Sequence, residues 1–301
     1  MAFGYIHRMT RLNQNTVELD APDHYNLSMT CHAHGWLNLA PFRWDQGSQA
    51  LHFSAFIDDI PVDIETTQAG RKVAASITSP IRLTDDQLAS GARLIRRSLD
   101  LDADTAGLLE IAERVGQEYV SIIKKGAGRL LHSPTLWEDA AKTLFTTNCT
   151  WSLTRKMCEA ACSERFSRAA PSGVYPFPPP QAIAECTPAQ LKKLMPVGYR
   201  SDYLVPLAEK FAQDPTLSGI ETNGLNYKEA DKLVRALRGF ADYGVAHLLI
   251  LAGYFNEIPI DTSVVSYLKK NYRVRKPRSF IDRNYRKWKQ YKWWGLKLEN
   301  M

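Results

Sequence analysis

The sequence predicts an α+β protein in which a small antiparallel β-sheet domain precedes an all-α domain. Three observations carry this. Near the N-terminus apolar and polar residues alternate with a period of two, the mark of strands with one solvated face. After Thr84 the apolar spacing becomes helical and stays so. The helical runs are joined by short connections, so the helices pack on one another. The reading assigns residues 1–95 to the sheet domain and 96–301 to the helical domain.

In the first domain Leu51, Phe53, Ala55 and Ile57 alternate with His52, Ser54, Phe56 and Asp58. Val62-Asp63-Ile64 and Lys72 to Ile77 flank a turn at Gly70, and Trp44-Asp45-Gln46-Gly47 reads as another hairpin turn. In the second domain helical spacing covers Asp85 to Leu99, Asp102 to Ile123 and Trp137 to Cys162, the last as one or two helices. Ala170 to Pro180 is rich in proline, contains Gly173, and cannot continue a helix. Thr187 to Leu194, Arg200 to Gln213 and Tyr227 to Arg238 are amphipathic.

Hydrophobic and charged contents of 45% and 23% are ordinary for a globular chain of 301 residues. No apolar run approaches the roughly 20 residues that cross a bilayer. MAFGYIHRMTRLNQ lacks the apolar stretch of a secretory signal, and five cysteines show no disulfide framework. An intracellular, cytoplasmic, monomeric protein without membrane contact is expected. The net charge of +6 is unevenly spread: 12 Lys/Arg but only Asp282 and Glu299 lie between Lys269 and Glu299. Tyr272, Phe280, Tyr285, Trp288, Tyr291, Trp293 and Trp294 are interleaved with them. Such a segment suits a phosphate backbone, or is an amphipathic surface whose aromatics dock on the core.

The stretch from Tyr227 to Leu268 carries the chemistry. A helix ends at Gly239, and Phe240-Ala241-Asp242-Tyr243-Gly244 forms a tight hairpin of mostly small residues. Val245 to Ala252 is apolar on nearly every side, so the second helix is buried. Backbone amides in such a hairpin can donate to phosphate oxygens at close range. Ile258-Pro259-Ile260 then holds the chain extended, and Asp261 sits where a helix begins.

Leu237 to Ala246 followed by Ile258-Pro259-Ile260-Asp261-Thr262-Ser263-Val264 resembles the signature of helix-hairpin-helix DNA glycosylases. Phe145-Thr146-Thr147-Asn148, Val197-Gly198-Tyr199-Arg200 and Pro41-Phe42-Arg43-Trp44 resemble further motifs of the 8-oxoguanine and 3-methyladenine branches, in the same order. The resemblance implies a helix-hairpin-helix glycosylase domain acting on double-stranded DNA. Asp261 would be its catalytic carboxylate. Gly239, Phe240, Ala241, Asp242 and Gly244 would bind the DNA backbone, and Asn148, Tyr199 and Arg200 would face the DNA. Trp36, Phe42, Phe145, Trp151 and Tyr243 are candidates for the base pocket. A structural monovalent cation at the hairpin is compatible with it.

Departures from the pattern refine this. Bifunctional members carry a lysine where Tyr243 stands, so base release by water without efficient strand cleavage is expected. Leu153 replaces an arginine that reads the opposite base. Ala241 replaces a glycine of the hairpin. No cysteine follows Cys186, so no iron–sulfur cluster is expected. Cys31-His32-Ala33-His34, with Cys158 and Cys162, lacks zinc-site spacing and reads as structural, so no metal is expected. Two rival functions are excision of a hypermodified phage base in antiviral defence, and DNA binding without catalysis.

Overall fold

The computed structural model describes residues 12–221 and 224–301. Residues 1–11, on which most of the leader reading rests, lie outside these. Five antiparallel strands, β1 (Asn13–Asp20), β2 (Arg43–Asp45), β3 (Ala50–Ile57), β4 (Ile60–Ala69) and β5 (Lys72–Ser79), form one sheet in the order β1-β5-β4-β3-β2. The strands β2 to β5 are a meander. Asp45 Oδ1 accepts from the amides of Gly47 (2.8 Å) and Ser48 (3.1 Å) in the β2–β3 turn. Gly70 takes φ +59 between β4 and β5, a left-handed conformation that glycine adopts without penalty. The edge strand β1 went unread because NQNTVELD offers only Val17 and Leu19 as apolar residues; pairing with β5 from Asn13↔Ser79 to Asp20↔Lys72 holds it in place.

The helix Asp85–Ser98 starts in a capping box between Thr84 and Gln87. Gly91 lets it lie against the sheet, since a Cβ there would stand 2.7 Å from Ile57 Cδ1. The expected boundary at residue 95 falls inside this helix, and one core joins Leu51, Ile57 and Ile77 of the sheet to Leu144, Phe145 and Leu249 of the helical part.

Asp102 to Ile123 is two helices, Ala106–Val115 and Gln117–Lys124, broken at Gly116. Trp137 to Cys162 is likewise two, Leu136–Thr146 and Trp151–Ala161, separated by a turn in which Asn148 takes φ +47. The C-terminal aromatics belong to a second core. Trp288, Trp294 and Tyr285 are buried with Leu108, Ile123, Leu268 and Ile281, while Tyr272 stays exposed. The charges around them, Lys269, Lys270, Arg275, Arg283 and Lys287 among them, are exposed. The aromatics of this segment thus dock on the core beneath an exposed basic surface. No helix among the described residues is long and apolar enough to cross a membrane.

Candidate active site

Ile258-Pro259-Ile260 enters the helix Thr262–Tyr272 in extended form, and Asp261 is its N-cap: Oδ1 accepts the Val264 amide at 2.7 Å. That amide is the one protein donor to this carboxylate among the described residues. Asp261 is half-buried and lines a cavity of about 590 Å³. Distant segments close the cavity: Trp36 from the turn Gly35–Asn38, Trp151 at the start of its helix, Tyr243 and His247 from the helix Asp242–Leu251, and Trp293 and Lys297 from the C-terminal helix Lys292–Glu299.

Three of the five aromatics singled out from sequence therefore line the cavity with Asp261. Trp36 is held by its indole N–H, which donates to Asp139 at 2.7 Å. Trp151 lies over Gly35, where a Cβ would come within 2.6 Å of the indole ring. The Tyr243 hydroxyl donates to Thr146 Oγ1 at 3.3 Å and lies 3.1 Å from His247 Nδ1. Phe145 and Phe42 are corrections. Phe145 is wholly buried in the main core beside Phe177, because its helix is covered on nearly every side. Phe42 packs on Phe53 at 5.3 Å and borders a separate, smaller cavity with Arg43 and Arg155.

The hairpin is tightly turned and closely packed. Helix Tyr227–Arg235 precedes it and Gly239 takes φ +95, where a Cβ would sit 2.9 Å from Tyr203. Phe240 turns inward, and its ring lies 3.2 Å from where a Gly244 Cβ would be. The helix Asp242–Leu251 has Ala241 at its N-cap, and no side chain caps it. Its first amides are thus open to an anion. Asp242 would oppose an anion there, but its carboxylate is paired with Arg235 at 2.8 Å.

Asn148 and Tyr199 are exposed, Tyr199 to 47%. Arg200 is a correction: it is 3% exposed, and its guanidinium donates to the Thr147 carbonyl. It braces the turn that presents Asn148 and does not itself face solvent. Lys297 was missed; nothing in its local sequence distinguishes it from other basic residues of the C-terminal segment.

The two cavity histidines are neutral at pH 7. Burial pushes His34 down to about 3 and His247 down to about 4. Since a carbonyl only accepts, the 2.6 Å contact to Leu131 O places the His34 proton on Nε2. Both folded values lie below the ordinary 6.5, so the unfolded chain takes up protons that the fold refuses. Stability is fully present above about pH 6.5 and is lost as the pH falls toward the folded values. His132, raised because Asp100 outweighs its burial, exchanges protons on the other side of that window. Thermal unfolding between pH 7.5 and 4.5 should show a slope approaching two protons per molecule near pH 5. The double variant His34→Asn/His247→Asn should flatten it, and an unchanged slope in that variant would contradict the assignment.

An N-terminal sheet followed by a helical body that carries a glycine-turned hairpin and an aspartate-capped helix is a fold shared with solved DNA glycosylases. The 8-oxoguanine glycosylase/lyase of Clostridium acetobutylicum is similar with a TM-score of 0.70 at 14% identity, covering 95% of this chain and 96% of that one. The 3-methyladenine DNA-glycosylase of Archaeoglobus fulgidus is similar with a TM-score of 0.70 at 15% identity, covering 94% and 97%. The clostridial enzyme in complex with double-stranded DNA containing cytosine opposite 8-oxoguanine gives 0.67 at 15% identity, covering 97% and 99%. No family model and no curated protein matches the sequence. At this identity the likeness is one of fold.

Proposed function

We propose that the protein is a DNA glycosylase that draws a damaged or modified base out of duplex DNA and hydrolyses its N-glycosidic bond, leaving an abasic site. The observation that carries this is Asp261 on the wall of a cavity of about 590 Å³, beside a hairpin helix whose N-terminus no side chain caps. That volume is in the usual range for small-molecule sites, about 300–1,000 Å³.

An extruded base would enter the cavity between the aromatic walls. As the bond from C1′ to the base nitrogen breaks, its electron pair leaves with the base and positive charge develops on the sugar. The Asp261 carboxylate stabilises that charge and orients the attacking water. One of its oxygens is held by the cap, which fixes the direction of the other. Uncapped hairpin amides, Asn148, Tyr199 and the exposed basic C-terminal surface are the groups we assign to the DNA backbone and the vacated stack. Strand cleavage by a hairpin amine is not part of this mechanism: Tyr243 offers a phenol whose ionisation burial disfavours.

The test is base release from duplexes carrying single oxidised, deaminated, alkylated or glucosylated bases, compared with Asp261→Asn. Abasic sites that need alkali for cleavage and disappear in the variant support the proposal. A hypermodified base as the one substrate would favour a role against phage DNA. Tight binding with no release from any duplex would leave a DNA-binding protein.

A further inference from the structure

We propose, resting on the glycosylase reading, that Lys297 is the specificity-determining cation of the base cavity, favouring neutral bases with a hydrogen-bond acceptor over bases carrying a fixed positive charge from ring alkylation. Lys297 and Asp261 line the same cavity. With His34 and His247 neutral, Lys297 is the one cationic side chain among the described lining residues. No carboxylate forms an ion pair with it among those residues. Its ammonium lies 5.7 Å from the Trp293 ring centroid, one turn back on the same helix. Burial lowers its affinity for a proton, and the Asp261 charge partly restores it. The ammonium is therefore partly buried, rests against an aromatic ring and has no carboxylate partner among the described residues, a state in which a donor acts strongly on a guest.

The helix bearing it is anchored at both ends. Glu299 accepts hydrogen bonds from the hydroxyls of Tyr272 and Tyr285, and Lys292 pairs with Glu257 at 3.2 Å. These contacts set the register that brings Lys297 to the cavity.

The two classes of base differ in where charge goes. A neutral base departs with the electron pair of the broken bond and becomes an anion until it is protonated. An ammonium donating to its oxygen or ring nitrogen stabilises that charge, while Asp261 stabilises the cation left on the sugar. Water then bonds to C1′, and the proton it releases neutralises the departed base. A base alkylated to a cation leaves as a neutral molecule, needs no such donor, and is repelled by Lys297 on entry.

The experiment measures single-turnover release of hypoxanthine, 8-oxoguanine and the cationic 7-methylguanine by wild type, Lys297→Met and Lys297→Arg. In Lys297→Met the ratio of neutral to cationic base release is expected to fall about 100-fold, the usual loss for one transition-state donor. Lys297→Arg keeps the charge and should keep the ratio near that of wild type. A uniform fall across all bases would assign Lys297 a structural role and overturn the proposal. So would a covalent complex trapped by borohydride in wild type and absent in Lys297→Met, which would make the amine a nucleophile. Wild type releasing no base from any duplex would instead overturn the glycosylase reading beneath it.

Discussion

Asp261→Asn is expected to lower base release by about 100- to 1,000-fold or more, the range for removing a preorganised electrostatic stabiliser, while leaving the fold intact. The substitution separates two roles of one side chain. As an N-cap, Asp261 accepts the Val264 amide, and asparagine caps as well as aspartate does. In the proposed mechanism it supplies a negative charge to a sugar becoming positive, and asparagine has none to give. Melting temperature should therefore stay within error of wild type while single-turnover release collapses. Asp261→Ala loses both roles and should also cost about 1 kcal/mol of stability. Undiminished release by the asparagine variant would remove Asp261 from the mechanism. A parallel loss of folding would show that the cap was its main role.

The site was legible in the sequence where it is local and illegible where it is assembled. Asp261 could be read because capping and an extended approach through Ile258-Pro259-Ile260 are properties of neighbouring residues. The hairpin could be read for the same reason, since Gly239 and Gly244 mark turns and close approaches within a few residues. Lys297 reaches the cavity only because its helix folds back beside Thr262–Tyr272, an arrangement that depends on the second aromatic core. Arg200 was assigned to DNA because a motif shows residue type but not burial; its guanidinium turns inward to the Thr147 carbonyl. Phe145 misled in the same way, since its helix Leu136–Thr146 is covered on nearly every side. Helical spacing located that helix well but could not show that Glu138, Asp139 and Lys142 within it are buried.

The buried Asp139 sets the second large expectation: Arg97→Met should destabilise the protein by about 3–5 kcal/mol, the usual cost of orphaning a buried charge. Asp139 is wholly buried and accepts from Arg97 (2.9 Å), the Ser133 amide (3.0 Å) and the Trp36 indole (2.7 Å). Arg97 also pairs with Glu221 and donates to the Ser133 carbonyl. Burial works to raise the Asp139 pKa, and the Arg97 charge, helped by His132, more than offsets it. His132, Asp139 and Glu221 lie close enough to suggest a metal site, yet the fixed charge on Arg97 bonds to both carboxylates. Methionine would fill much of the volume but supply no charge, and Asp139 would have to take up a proton in the fold. Its folded pKa would then exceed the unfolded value, and its contribution to stability would grow as the pH falls rather than shrink. Urea denaturation of Arg97→Met at pH 7 and pH 5 reads both effects, and Arg97→Met/Asp139→Asn should recover part of the loss because position 139 no longer carries an unpaired buried charge, while Glu221 still lacks its partner. Since Asp139 also holds the Trp36 indole, the single variant should loosen the cavity wall, shifting tryptophan emission before the global transition. A loss below about 1 kcal/mol, the scale of a surface ion pair, would mean that water reaches Asp139 and that the network does not brace the cavity.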